Sequence, residues 1–201
     1  MSRSFFDRPV LEVAPELLGA VLMQGSVAVR LTEVEAYDGT DDPASHAFRG
    51  LTRRNAVMFE GPGLLYVYFT YGMHYCANVV CGPRGRPSAV LLRAGEVTDG
   101  LAEARAHRPG IAPDAALARG PANLVRTLGL GPQDNGRDVC TDDSLRLHPG
   151  QACADRVRCG PRVGVSSAAD RPWRFWLADE PSVSAYRPAV RRIRSGRAAP
   201  A

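Results

Sequence analysis

The stretch "LLYVYFTYGMHYCANVV", residues 64 to 80, sets two runs of β-branched and aromatic residues on either side of Tyr71-Gly72. Glycine there can take the positive φ of a tight turn, so the pattern predicts two antiparallel strands joined as a hairpin. A chain that commits this much sequence to paired strands must build a sheet around them. In the first strand Tyr66, Tyr68 and Thr70 share one face, opposite Leu65, Val67 and Phe69. The aliphatic face packs inward and the tyrosines look elsewhere. Four of the six tyrosines lie between Tyr66 and Tyr75, more phenol hydroxyls than a core readily satisfies.

The rest of the chain fits around that hairpin. "DRPVLEVAPELLG" reads as one or two short helical turns closed by Gly19. "AVLMQGSVAVRLTEVEAY", residues 20 to 37, is a second hairpin with its turn at Gln24 to Ser26. Residues 38 to 63 are rich in turn residues, and long loops inside a compact domain tend to be functional. "SAVLLRAGEV" supplies a strand. "TDGLAEARAHR" reads as a helix with a Thr/Asp cap, and "GPANLVRTLGL" as one that begins at Pro121 and stops at Gly129. "GPRVGVSS" and "WRFWLA" are late strands. Together they predict an α+β fold: a single domain over residues 1–201, with a mostly antiparallel curved sheet, flanking short helices and a protruding β-hairpin. The basic segment after Arg187 is expected to fray.

Composition narrows the chemistry. At 201 residues and 45% hydrophobic, the chain can close one substantial core. No run approaches the ~18 to 20 apolar residues of a membrane span, and the first residues lack the apolar region of a signal peptide, so a cytoplasmic protein is expected. All 25 basic residues are arginine and the net charge is +4. A compositional bias of a GC-rich genome accounts for that; it also permits a nucleic-acid partner, and it leaves no lysine amine for a Schiff base. Five cysteines without a C-x-x-C pair, and four histidines without zinc spacing, read as reduced thiols and no metal.

Within "LTEVEAYDG", strict alternation puts Leu31, Glu33, Glu35 and Tyr37 on one side of a strand. Two carboxylates spaced by two residues lie on the order of 6 to 7 Å apart, which suits an acid/base pair; the alternative is a solvated strand face. His46 stands in a loop, where a lone histidine is more often exposed or locally bonded. Arg93, after four apolar residues, can simply snorkel from a strand end. Asn78 is harder to dismiss, because asparagine is poor in a strand and costly to bury unpaired. Tyr71, at the hairpin tip, is well placed to enter something outside its own protein, such as the gap in a base stack.

Taken in order, "ELLG", "EVEAY", "SHAFRGLTRRNAVMF", "GLLYVYFTYGMHYCANVV", "AVLLRAGE", "GPANL" and "GPRVGV" resemble the alkyladenine (3-methyladenine, N-methylpurine) DNA glycosylases, monofunctional enzymes of base-excision repair. The resemblance implies double-stranded DNA containing damaged purines as partner, no cofactor, a monomer, and a bacterial-type enzyme associated with the nucleoid. It implies that Glu35 is the general base that activates a water, with Arg93 helping to hold that water and the backbone carbonyl of Val163 as a further contact. Tyr37 and His46 would sandwich the flipped base, with Tyr68 as third wall. Asn78 would obstruct the 2-amino group of guanine. Tyr71 would be the wedge that fills the vacated place, with Met73 beside it at the DNA. Arg53 and Arg54, with Thr52 and Met58 nearby, are expected at the DNA backbone, although surface arginines can equally be bystanders.

The physics agrees with those roles. An N-alkylated purine carries positive charge, which aromatic faces attract and which makes the base a ready leaving group. With no lysine, an abasic site without strand cleavage is the expected product. Departures from the family pattern are His74 where the best-studied members carry another aromatic, two extra residues between Asn78 and Arg93, and a loop after His46 shorter than in some relatives. Two rival readings remain: a nucleic-acid-binding module that stacks bases without catalysis, and a carbohydrate hydrolase using Glu33 and Glu35.

Overall fold

The computed structural model describes residues 1–70, 72–150 and 154–189. Within them run α1 (Arg3–Phe6), α2 (Val10–Glu16), β1 (Val21–Gln24), β2 (Val27–Tyr37), β3 (Leu65–Thr70), β4 (His74–Cys81), β5 (Ser88–Asp99), α3 (Leu101–His107), α4 (Pro121–Thr127), β6 (Leu145–His148), β7 (Val157–Gly160) and β8 (Arg174–Leu177). The strands make one antiparallel sheet in the order β3-β4-β5-β2-β1-β6, with β8 joining at β2 and β7 pairing with β8. This is the expected α+β architecture. Among the described residues no helix is long and apolar enough to cross a membrane.

Strand β2 organises the sheet. One of its edges pairs with β5 along almost its whole length. The other pairs with β1 from Val27 to Arg30 and then with β8 from Glu33 to Glu35. The strand therefore changes neighbours just before its two glutamates. Its register with β5 slips twice at the same place: Leu31 faces Gly95 and Glu33 faces Ala94, leaving Thr32 extra, while Val34 faces Leu92, leaving Arg93 extra. Bulges of this kind re-aim side chains and strengthen the local twist. They also break the strict alternation expected from sequence, for Leu31 joins Val34 and Ala36 in the main core instead of siding with the glutamates. Gly95 permits this close approach, since a Cβ there would collide with the Val29 side chain and the Arg30 carbonyl.

That core lies between the sheet and the helices. Val10, Val13, Ala14 and Leu17 recur at helical spacing on and just past α2 and are buried with Leu124 and Val125 of α4 and Leu128 just past it. A smaller cluster of Ala47, Val57, Met58, Tyr66, Val80 and Ala89 sits apart from it and is completed by part of Tyr68. Tyr66 is thus fully buried, contrary to the expectation that the tyrosines of β3 face away from packed surfaces. Phe69, assigned to the inward face, is instead 47% exposed near the hairpin tip.

Three local expectations are corrected. Thr98 and Asp99 continue β5, and α3 starts from Gly100 without a side-chain cap. "GPRVGVSS" contributes only Gly160 to a strand; beyond it Pro161 has no N–H to donate to a ladder and Gly164 turns with φ 69°. Strands β6 and β7 had no clear signal. The fraying expected after Arg187 falls, from residue 190 to 201, outside the described residues.

Candidate active site

Strand pairing carries one row of residues across the sheet: Glu35 stands opposite Leu91, Leu91 opposite Asn78, and Asn78 opposite Tyr66. Residues directly opposite share a face. Two-residue steps along the strands add Tyr37 and Tyr68 to that face. Residues from four strands and more than 30 positions of sequence thus converge on one patch.

Neither glutamate is solvated: Glu33 and Glu35 are both 0% exposed, which overturns the solvent-facing alternative. Their surroundings differ. Glu33 Oε1 accepts from Arg93 Nε at 2.8 Å, Arg174 Nε at 2.7 Å and Ser184 Oγ at 2.9 Å, and its Oε2 from the Ser184 amide at 2.7 Å. Burial alone would raise its pKa, but the two guanidiniums and Ser184 outweigh it and hold the carboxyl below the ordinary range. Glu35 Oε2 accepts the Tyr37 hydroxyl at 2.9 Å and lies 3.3 Å from Arg93 Nη1, while its Oε1 accepts the Val163 amide at 2.7 Å. Here burial wins over Arg93, the amide and the phenol, and the pKa is raised. The pair is split into an ionised carboxylate held by four donors, three of them on Oε1, and a more basic one with fewer donors. Val163 meets Glu35 through its N–H, a contact separate from the one to the water expected of its carbonyl.

Tyr37, Arg93 and Val163, the groups that hold Glu35, also border an aromatic slot. Tyr37, His46 and Tyr68 line two adjoining cavities, a deep one of about 80 Å³ and an outer one of about 430 Å³. The outer cavity, which Arg93 and Val163 also line, is of the size that ordinarily accepts a small molecule. The His46 ring packs edge-on against Tyr68, centroids 4.5 Å apart, and its Nδ1 is 3.2 Å from the Tyr66 hydroxyl. Burial, aided by Arg54, lowers the His46 pKa to about 4, so the imidazole is neutral near pH 7. Burial pushes Tyr37 and Tyr68 upward, keeping both phenols protonated. Asn78 is buried on the wall of the deep cavity with its Nδ2 donating to the Tyr66 carbonyl at 3.1 Å, which answers the cost of placing asparagine in a strand. Met58 lines the same cavity at 3% exposure, so its expected place at a DNA-facing surface is corrected: a thioether in the packed floor cannot reach a phosphate.

Behind the slot stands a residue that sequence reasoning missed. Arg162 is 1% exposed, donates to the Ala36 carbonyl at 2.9 Å, and pairs with both oxygens of buried Asp42. Its guanidinium lies 4.6 Å from the Tyr37 ring centroid and 5.1 Å from that of Trp173. It therefore backs one wall, anchors the start of the loop that brings in His46, and is followed directly by Val163. An arginine and an aspartate 120 positions apart give no local signal of pairing. Asn55, also missed, ties that loop through the carbonyls of His46 and Gly50.

The rim is apolar and basic. Thr52, Arg53 and Arg54 are exposed, and Arg54 donates to the Phe69 carbonyl at 2.9 Å, joining the His46 loop to the β3-β4 hairpin. Met73 is 69% exposed beside the tip, where Gly72 has φ 67°. Tyr71 lies outside the described residues. Another cavity of about 300 Å³, between Arg8, Asp38 and Arg86, has no link to Glu35. Among the described residues no cluster of His, Cys, Asp or Glu could hold a metal, and Cys76, Cys81, Cys140 and Cys159 are free thiols.

One antiparallel sheet thus carries a buried carboxylate, a ring-lined slot and an arginine-bearing rim. The sequence profile of the Methylpurine-DNA glycosylase family matches residues 4–181, and the chain belongs to that family. It is 52% identical to a Streptomyces avermitilis protein named "Putative 3-methyladenine DNA glycosylase", over 96% of this chain and 95% of that one. Relatives with the same name from Leifsonia xyli subsp. xyli, at 53% identity over 92% of both chains, and Nocardia farcinica, at 55% over 89% and 87%, agree. The family is one of DNA glycosylases, hydrolases of the N-glycosidic bond that take DNA as substrate.

Proposed function

We propose that the chain is a monomeric, monofunctional DNA glycosylase that turns an alkylated or deaminated purine out of duplex DNA and hydrolyses its N-glycosidic bond with a water activated by Glu35. The observation that carries this reading is the split between the carboxylates. A general base needs a proton affinity brought toward the working pH and an open lone pair. Glu35 has both, whereas two guanidiniums and Ser184 hold Glu33 below the ordinary carboxylate range. That contrast also disfavours a sugar hydrolase in which the two acids act as a pair.

In this mechanism Glu35 Oε1 takes a proton from the water, whose oxygen attacks the anomeric carbon as the bond to the base breaks toward the purine. Arg93, lining the outer cavity, helps hold the water. A cationic base departs as a neutral molecule, so little else is needed of the protein at the leaving group. Tyr37 and His46 sandwich the base and Tyr68 supplies the third wall; a neutral imidazole stacks on a cationic purine without charge repulsion. Asn78 narrows the deep end of the slot against the 2-amino group of guanine. Tyr71 fills the gap in the duplex with Met73 beside it, and Thr52, Arg53 and Arg54 meet the phosphates. No lysine is present to form an imine with the sugar, so the product is an abasic site in an unbroken strand. The enzyme works at the nucleoid in the cytoplasm.

Release of free base from a panel of duplexes, each with one defined lesion, tests the proposal; an alkali step afterwards reveals abasic sites. Wild-type protein should release at least one N-alkylated or deaminated purine and leave the strand intact until alkali is added. Glu35→Gln should bind the same duplex and release nothing. Equal release by both proteins refutes the role of Glu35.

A further inference from the structure

Arg93 is shared between two acids, and the sharing is unequal. Its Nε is 2.8 Å from Glu33 and its Nη1 3.3 Å from Glu35. Its Nη2 reaches Ser184 Oγ at 3.3 Å, and that hydroxyl is itself bonded to Glu33. Arg174, on the opposite side, makes the second charged contact to Glu33 and also donates to the Ser184 carbonyl at 2.7 Å. The two acids and two arginines form a quartet linked in the order Glu35, Arg93, Glu33, Arg174, and all four are at most 5% exposed. The assigned roles account for Arg93 and Glu35 and leave Glu33 and Arg174 unexplained. A bidentate arginine pair would be the strongest arrangement available to Glu35, and it is not made.

We propose that Glu33, fixed by Arg174 and Ser184, is a positioning residue that tethers Arg93 by its Nε and so leaves only a single-pronged contact to Glu35. The inference rests on the reading of Glu35 as the base. Its consequence is that the quartet keeps the carboxylate of Glu35 from being quenched by a full ion pair, while Arg93 still faces the cavity. Glu33 also adds a like charge nearby, which works in the same direction. The other groups facing Glu35 are Tyr37 on its own strand, Tyr68 and Cys76 from β3 and β4, and Arg162 from the loop before Val163. His46 lies across the slot and has no contact with the quartet.

The test is the acid limb of single-turnover base release, measured on a duplex whose lesion carries fixed positive charge and adds no titration of its own. Removing the charge of Glu33 in Glu33→Gln frees Arg93 for Glu35, so the limb should move to lower pH. Removing that of Arg174 in Arg174→Gln draws Arg93 toward Glu33, so the limb should move to higher pH. A charge at this range shifts a carboxylate by about a unit or more, so rates on the acid side should differ from wild type about tenfold, upward for the first and downward for the second. Arg174→Lys, which keeps the charge, should restore the wild-type limb. A merely structural role would lower stability and leave the limb in place, and that result overturns the proposal. In the wild-type protein, carboxyl ¹³C titration should show Glu33 ionised throughout the limb; protonation of Glu33 ahead of Glu35 also overturns it, with no variant required. Loss of release in Glu35→Gln alongside unmoved limbs defeats this inference alone, whereas retained release in Glu35→Gln defeats the functional reading beneath it.

Discussion

Arg162→Met offers the sharpest test of how the slot is held. The substitution keeps an unbranched apolar stem and deletes a guanidinium that bonds the Ala36 carbonyl, pairs with Asp42 and covers the Tyr37 ring. Asp42 is itself 0% exposed, so the variant leaves a carboxylate in the interior with only Arg171, 3.8 Å away, as a cation. Removing one partner of a buried pair costs about 3 to 5 kcal/mol, because the remaining charge has lost its compensation. In a domain of this size each kcal/mol corresponds to roughly 2 to 4 °C, so the melting temperature should fall by about 6 to 20 °C. The double variant Arg162→Met with Asp42→Asn removes the stranded charge and keeps an acceptor for the Ala44 amide, now met by Asp42 Oδ1 at 3.2 Å. It should recover more than half of the loss. Urea unfolding of the wild type, both single variants and the double gives the coupling energy directly. A single variant that costs less than about 1 kcal/mol, or a double no better than Arg162→Met, would refute the reasoning.

Two further outcomes follow from the geometry. Asn78→Ser shortens the side chain on the wall of the deep cavity, and release of guanine or N7-alkylated guanine should rise relative to other lesions in the base-release assay; no rise removes Asn78 from the discrimination of guanine. Gly95→Ala drives a methyl group into the Val29 side chain and the Arg30 carbonyl, so it should cost about 1 to 3 kcal/mol by denaturant unfolding and weaken base release by disturbing the bulge that aims Arg93.

Much of this arrangement was legible from local pattern. The period-2 runs and turn glycines gave both hairpins and β5, and the stretch closed by Gly19 gave helical turns where α2 lies. What was not legible came from distance. Whether the two acids faced solvent or the interior depended on residues far along the chain: Arg174 and Ser184 meet Glu33, and Val163 meets Glu35. The division of labour between the two acids was equally hidden, because it arises from which one Arg174 and Ser184 reach. Tyr66 and Tyr68 both looked outward by alternation, yet a small second core beneath the slot buries the first. Bulges left no trace in composition, so neither the departure of Leu31 from the glutamate face nor the placing of Arg93 could be read in advance.

The handover of β2 from one neighbour to another has a temporal side. The stretch from Glu33 to Glu35 borders β1 only through the residues before it and acquires its own partner when β8 docks. A growing polypeptide that lacks residues 174–184 therefore leaves this stretch of β2 at an unfinished edge and Glu33 without Arg174 and Ser184. Contacts of such long sequence separation form late because the intervening loop must close first. The partners that set Glu33 apart from Glu35 are thus among the last of the described residues to be made.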